Sequence, residues 1–148
     1  MTDQITIRPL APADAAEWRA LWTAYLAFYE TDVSDEVRAE TFRRLRDAAR
    51  PEQEARVAAA VGRLVGLVHY IFHPHNWRIE PVCYLQDLYT LPEARRQGVG
   101  RALIEAVYAE ADARGAPSVY WLTQHFNAPA RRLYDRIGTL TPFVKYQR

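Results

Sequence analysis

Arg95, Arg96, Gly98, Gly100 and Arg101 fall within one short run of the chain. Their types suit one task. Two glycines let a backbone pass close to a bulky anion, because neither puts a Cβ in the way. Three guanidinium groups add full positive charge around the same point. The run follows an apolar stretch, Val82-Cys83-Tyr84-Leu85. It precedes Val99, Ala102, Leu103, Ala106 and Val107, which recur at helical spacing. A helix start presents unpaired N–H groups and the positive end of its dipole. The chemistry that fits is a pyrophosphate cradle. The plainer alternative is a basic surface loop, and the strand before and helix after favour the cradle. A P-loop is excluded, since the chain holds no Gly-Lys pair. The dinucleotide pattern G-x-G-x-x-G also fails, at Gly98-Val99-Gly100-Arg101-Ala102-Leu103.

Composition bounds what surrounds this loop. The chain has 148 residues, 49% hydrophobic and 25% charged, which predicts one globular domain over 1–148. The net charge is +1, so bulk charge argues against nucleic acid or an anionic membrane as partner, and anion binding must be local. The one cysteine, Cys83, cannot form an internal disulfide, and its apolar neighbours predict a buried, inert thiol. No signal peptide and no bilayer-spanning apolar run is visible, so a cytoplasmic location is expected.

The elements that must position the loop can be read in order. Ile5-Thr6-Ile7-Arg8 predicts a short strand ended by Pro9. Asp14 and Glu17 have the spacing of a capping box. Trp18, Leu21, Trp22, Tyr25 and Tyr29 then share one helical face, a core stripe whose far end is placed to wall a pocket. Glu30 to Glu36 is an acidic linker, and Ser34 caps a second helix running toward Pro51. Ala55–Val61 and Leu64–His73 form a hairpin, with Gly66 at a bulge. His73 and His75 lie in a loop without a carboxylate or cysteine at ligand spacing, so no metal is expected. Val82–Thr90 is the most apolar strand and is expected at the sheet centre. After the helix from Val99 come a strand, Ser118–Thr123, a helix capped by Asn127, and a last strand, Phe143–Tyr146. A parallel β-α-β unit thus runs from Val82 to Thr123, and its loop leaves the carboxyl end of a strand, where open α/β sheets bind ligands.

Two motifs carry a family resemblance. Arg95-Arg96-Gln97-Gly98-Val99-Gly100 resembles the acyl-coenzyme-A loop [QR]-x-x-G-x-[GA] of the GNAT N-acetyltransferases. Asn127-x-x-Ala130-x-x-Leu133-Tyr134-x-x-x-Gly138 is similar to that family's second signature, in the family's order. The resemblance covers the whole chain. Gly115–Trp121, Leu133-Tyr134-Asp135 and the strand Tyr84–Tyr89 look most like the branch that acetylates histones, D-amino acids and diamines. The implied fold is α/β (α+β), a central mixed, mostly antiparallel sheet with a splayed parallel strand pair and flanking helices. The resemblance also implies roles. Backbone N–H groups of Gln97, Gly98, Val99, Gly100 and Arg101, with Arg95 and Arg96 beside them, would hold the coenzyme A pyrophosphate. Leu88, Tyr89 and Thr90 would pair with the pantetheine arm, Asn127 would bond its amide region, and Tyr134 would donate its hydroxyl to the departing thiolate.

An amine must be neutral to attack a thioester, yet a free alkylamine has a pKa of about 10.4. A nearby carboxylate can take that proton. Asp87 is the first candidate and Glu30 the second; family enzymes often place a Glu one position earlier, where this chain has Gln86. A structural carboxylate bonded to loop amides is the alternative for Asp87. The leading reading is direct acetyl transfer from acetyl-CoA to a primary amine on a small cation, an amino acid or a protein lysine, with no metal. A sensor that binds acyl-CoA without turnover, or a protein that acetylates a macromolecule, are the alternatives. The acidic linker favours a cationic acceptor. The family often closes with two strands, whereas one fits here, and such an edge invites pairing into a homodimer.

Overall fold

The computed structural model describes residues 4–148. Its strands are β1 (Thr6–Pro9), β2 (Gln53–Ala60), β3 (Arg63–His73), β4 (Val82–Thr90) and β5 (Val119–Tyr120). Its helices are α1 (Ala15–Phe28), α2 (Asp35–Leu45), α3 (Val99–Ala113) and α4 (Ala128–Ile137). The strands form one sheet in sequence order; β1 to β4 pair antiparallel, and β4 pairs β5 in parallel. This is the mixed, mostly antiparallel arrangement that the resemblance implied. The centre, however, belongs to β3. Side chains from Leu64 to Tyr70 on that strand are all buried, while β4 lies one place from the edge.

Alternation sends the two sets of strand side chains to different helix layers. Val57, Leu64 and Leu67 pack under α1 and α2, against Trp18, Leu21, Trp22 and Leu45. Val68, Tyr70, Phe72, Cys83 and Leu85 pack under α3, against Val99, Leu103, Ile104 and Val107. Gly66 makes the second contact possible. A Cβ there would lie 2.9 Å from Val99 Cγ1 and 3.0 Å from the Tyr89 carbonyl oxygen. The register between β2 and β3 also shifts beside it, between Ala58 and Ala59, which is the expected bulge.

Several local expectations are corrected. Asp14 and Glu17 do not form a capping box. The Asp14 carboxylate instead accepts from Ala11 N and pairs with Arg8 at 2.7 Å, while Glu17 accepts from Leu64 N at 2.8 Å. Ser34 does cap α2, accepting from Val37 N, but the helix ends at Leu45, short of Pro51. The strand after α3 shrinks to Val119–Tyr120. Phe143–Tyr146 is not a strand; the segment beyond α4 is irregular, with Leu140, Phe143, Val144 and Tyr146 exposed. A strand needs a partner for its backbone, and none is offered there by the described residues.

Candidate active site

The loop between β4 and α3 is shaped by two left-handed residues. Gly98 has φ +79° and Arg96 has φ +66°. Glycine takes that region freely, whereas an arginine there stores strain of about 1–2 kcal/mol. Among the described residues, no backbone or side-chain acceptor meets the N–H groups from Arg96 to Arg101. They comprise the loop amides and the first turn of α3, where helix geometry leaves donors unpaired. A Cβ on Gly98 would meet no protein atom within 4 Å, so the space in front of the loop is open. Successive free N–H groups beside a left-handed residue make an anion-binding concavity. Arg95 is tied back, donating from Nε to the Thr90 carbonyl at 3.3 Å. Leu133 of α4 closes the far wall, 3.6 Å from where a Gly100 Cβ would stand.

A slot leads away from the loop. β4 and β5 are paired only at Cys83–Val119 and Tyr84–Tyr120, after which the strands part. β3 covers the other edge of β4 as far as Thr90. From Leu85 to Thr90, the β4 edge that faces away from β3 therefore has no strand partner among the described residues. Leu88, Tyr89 and Thr90 lie on this open edge, beside the loop. Asn127 starts α4 without a side-chain cap bond, which corrects its expected capping role and leaves its amide free.

The slot ends near Asp87, and a bulge determines where that carboxylate points. Tyr70 opposes Leu85 and His69 opposes Asp87, so Gln86 is an extra residue in β4. The insertion resets the alternation. Cys83, Leu85 and Leu88 face α3, while Tyr89 packs into the α1 layer. Asp87 turns the same way and accepts from His69 Nδ1 at 2.8 Å. His69 in turn accepts at Nε2 from the Trp18 indole N–H, 2.9 Å away. Tyr25, Tyr29 and Tyr84 surround the carboxylate. Burial raises each of their pKa values first, and the Asp87 charge raises them further. Tyr134 stands edge-on to Trp121, ring centres 5.5 Å apart. Burial, then the Tyr29 phenol, push its hydroxyl up to about 12.

The other acidic candidates sit differently. Asp32 is bound to the buried Arg38 guanidinium, which holds its carboxyl below the usual range. Glu30 is exposed and ends α1 in a Schellman motif: Thr31 N donates to Leu26 O and Glu30 N to Ala27 O. Its φ of +57° is one that glycine usually takes at this position. His69 and Trp18 were missed as site residues because a histidine inside an apolar strand reads as core. The apolar spacing Cys83, Leu85, Leu88 does carry the signal, since it breaks period two where the bulge lies. Cys83 is buried and its thiol is pushed up to about 12, as an inert cysteine should be.

The model of the Acetyltransferase (GNAT) family matches residues 18–139, from α1 through α4. The chain belongs to the GNAT family. Among curated GNAT relatives, the D-amino-acid N-acetyltransferase HPA3 of Saccharomyces cerevisiae is 39% identical over 100% of this chain and 92% of its own length. The uncharacterized N-acetyltransferase YhfO of Bacillus subtilis is 31% identical, covering 96% of this chain and 95% of its own. The solved aminoglycoside N-acetyltransferase AAC(6')-Iy, in complex with CoA, superposes with a TM-score of 0.84. It is 20% identical and covers 100% of this chain and 96% of that one, so it speaks for the GNAT fold. The protein is thus a GNAT enzyme of acetyl-CoA-dependent N-acetylation. No helix among the described residues is long and apolar enough to cross a membrane.

Proposed function

We propose that the chain transfers the acetyl group of acetyl-CoA directly to the primary amine of a small substrate, with a D-amino acid first among the candidates. The observation that carries this reading is the continuous path from the free amides of Arg96–Arg101, along the open edge of β4, to Asp87. The amides take the diphosphate. Leu88 to Thr90 pair with the pantetheine arm as an extra strand would, and Asn127 bonds its amide region. The thioester then lies near Asp87. Asp87 takes the proton of the incoming ammonium and the free amine attacks. Tyr134 meets the departing thiolate. A phenol near 12 is a weaker acid than a thiol of ordinary pKa about 8.5. Tyr134 therefore serves as a hydrogen-bond donor, and the proton itself comes from elsewhere. The buried Cys83 offers no nucleophile, which supports transfer without an acyl-enzyme.

The acceptor's chemistry follows from the walls. Asp87 is the local negative charge, and phenol rings from α1 and β4 surround it, a setting that favours a cation over an anion. Asp32 no longer supports attraction of the substrate, because Arg38 neutralises it. Glu30 remains a second, exposed acidic group, just beyond α1. The full-length likeness to a D-amino-acid enzyme supports taking D-amino acids ahead of polyamines. The test is thiol release from acetyl-CoA against D- and L-amino acids, polyamines, aminoglycosides and histone peptides. Turnover of a small amine is expected; release with peptides alone would overturn the acceptor class.

We also propose a homodimer. Leu140, Phe143, Val144 and Tyr146 expose large apolar surface within one short segment, and a second copy of the chain would cover it. Light scattering at micromolar concentration should report twice the chain mass, and a monomer would refute the pairing. A cytoplasmic setting belongs to the same proposal, supported by the unpaired cysteine.

A further inference from the structure

Trp18, His69 and Asp87 form a hydrogen-bonded chain across three elements, α1, β3 and β4. Trp18 is 2% exposed and His69 3%, while the Asp87 side chain keeps 13%, so the chain opens to solvent only at the carboxylate. Chemistry assigns its protons. An indole N–H can only donate. At 2.9 Å it must meet the lone pair of His69 Nε2, so the imidazole carries its hydrogen on Nδ1. That hydrogen faces Asp87 Oδ2 at 2.8 Å. The ring is also wedged between Trp18 and Trp22, centres 5.9 and 5.7 Å away, which fixes its orientation. A second proton on His69 would set two N–H groups head-on. The groups around Asp87 are His69 from β3, Tyr25 from α1, Tyr29 just beyond that helix, and Tyr84 from its own strand. Among the described residues, no lysine or arginine pairs with it.

We propose that His69 is a positioning residue for the acetyl transfer: locked in its Nδ1–H tautomer by Trp18, it fixes Oδ2 of Asp87 and leaves Oδ1 to take the amine proton. This rests on the reading of Asp87 as the base. In the step, the ammonium N–H bond breaks, an Oδ1–H bond forms, and the freed nitrogen lone pair attacks the thioester carbon. A neutral donor holds the carboxylate without neutralising it. A charged imidazolium would hold it more tightly and make it a poorer base. Trp18 thus fixes, from two bonds away, the donor that holds the base.

The test combines variants with a pH profile. His69→Leu removes the donor and should lower kcat about 10- to 100-fold, the cost of a misplaced reacting group, with KM for acetyl-CoA unchanged. His69→Asn puts an amide N–H near the place of Nδ1 and should recover most of that loss. Trp18→Phe keeps a ring and frees Nε2, so the imidazole is no longer held to one tautomer; kcat should fall by less than in His69→Leu, with KM for acetyl-CoA unchanged. In an Asp87→Asn background, His69→Leu should cost nothing further. Nitrogen-15 shifts of the wild-type imidazole should show the Nδ1–H tautomer. Equal losses in the Leu and Asn variants, or a charged imidazole in the wild type, would overturn the positioning role. An Asp87→Asn enzyme with an unchanged pH profile would instead overturn the base itself, whatever His69 does.

Discussion

The two ends of the slot are built in opposite ways. The loop end is contiguous: Arg95 to Arg101 supply it from one stretch of chain, and its unpaired groups are backbone amides. The proposed acceptor end is assembled from side chains: Trp18 and Tyr25 come from α1, His69 from β3, and Asp87 from β4. Backbone amides bind whatever the side chains are, provided that the φ angles are right. Side chains depend on register and packing in three elements at once. The loop end should therefore be sensitive to conformation, and the acceptor end to chemistry.

The largest expected effect is chemical. Asp87→Asn should lower kcat about 10²- to 10⁴-fold near neutral pH, the range for general acid–base catalysis. The loss should shrink as pH rises toward the amine's own pKa, where the unassisted substrate is already neutral. Affinity for acetyl-CoA, measured by calorimetry, should stay the same. A uniform loss at every pH would leave Asp87 with a structural role only.

Tyr134→Phe should cost less, about 10- to 100-fold in kcat, since a hydrogen bond to a charged group is worth about 1.5–3 kcal/mol. Burial raises the phenol to about 12, so the folded site keeps its proton as pH rises. The alkaline limb should therefore have the same shape in both enzymes up to about pH 10. A fall of under about threefold would mean that water stabilises the thiolate.

At the loop end, Gly98→Val should weaken acetyl-CoA binding about 10-fold and destabilise the fold by about 1–2 kcal/mol, because the native φ is left-handed. Since no protein atom would touch the new Cβ, a binding loss beyond the folding cost reports the ligand. Equal affinity would show that the cradle lies elsewhere. The smallest effect belongs to Glu30. Glu30→Gly relieves a left-handed helix terminus and should raise stability by about 0.5–1 kcal/mol in urea melts. If activity with cationic amines falls while stability rises, the side chain serves the substrate; if both rise, Glu30 is only a terminator.

The same contrast explains what the sequence disclosed. The loop, Gly66 at its bulge and the start of α3 were legible, because glycines and helical spacing are local signals. Tyr134 and Asn127 came from the second motif, and the structure sets Asn127 at the start of α4 and Tyr134 within it. The Trp18–His69–Asp87 chain was not legible, since it needs the pairing of β3 with β4 before any two of its members meet. Asp32 and Glu30 looked alike in the acidic linker, and only the position of Arg38 separates them. The closing strand failed for a related reason. Phe143 to Tyr146 has the composition of a strand, but a strand is defined by a neighbour.

The extra residue at Gln86 has a consequence for how this gene can vary. Its side chain is exposed, and its carbonyl accepts from the Tyr25 hydroxyl at 3.4 Å. Most substitutions there should be silent. Loss of the codon should keep the faces as well. Deleting one residue would make Asp87 the direct neighbour of Leu85, still opposite His69, and leave Leu88 in the α3 layer, so the ladder would close without a bulge. Position 86 is thus free in identity, and what it supplies is the local bend of β4. Alignments of related chains should show many amino acids in that column, and a gap there should leave Asp87 in register with His69.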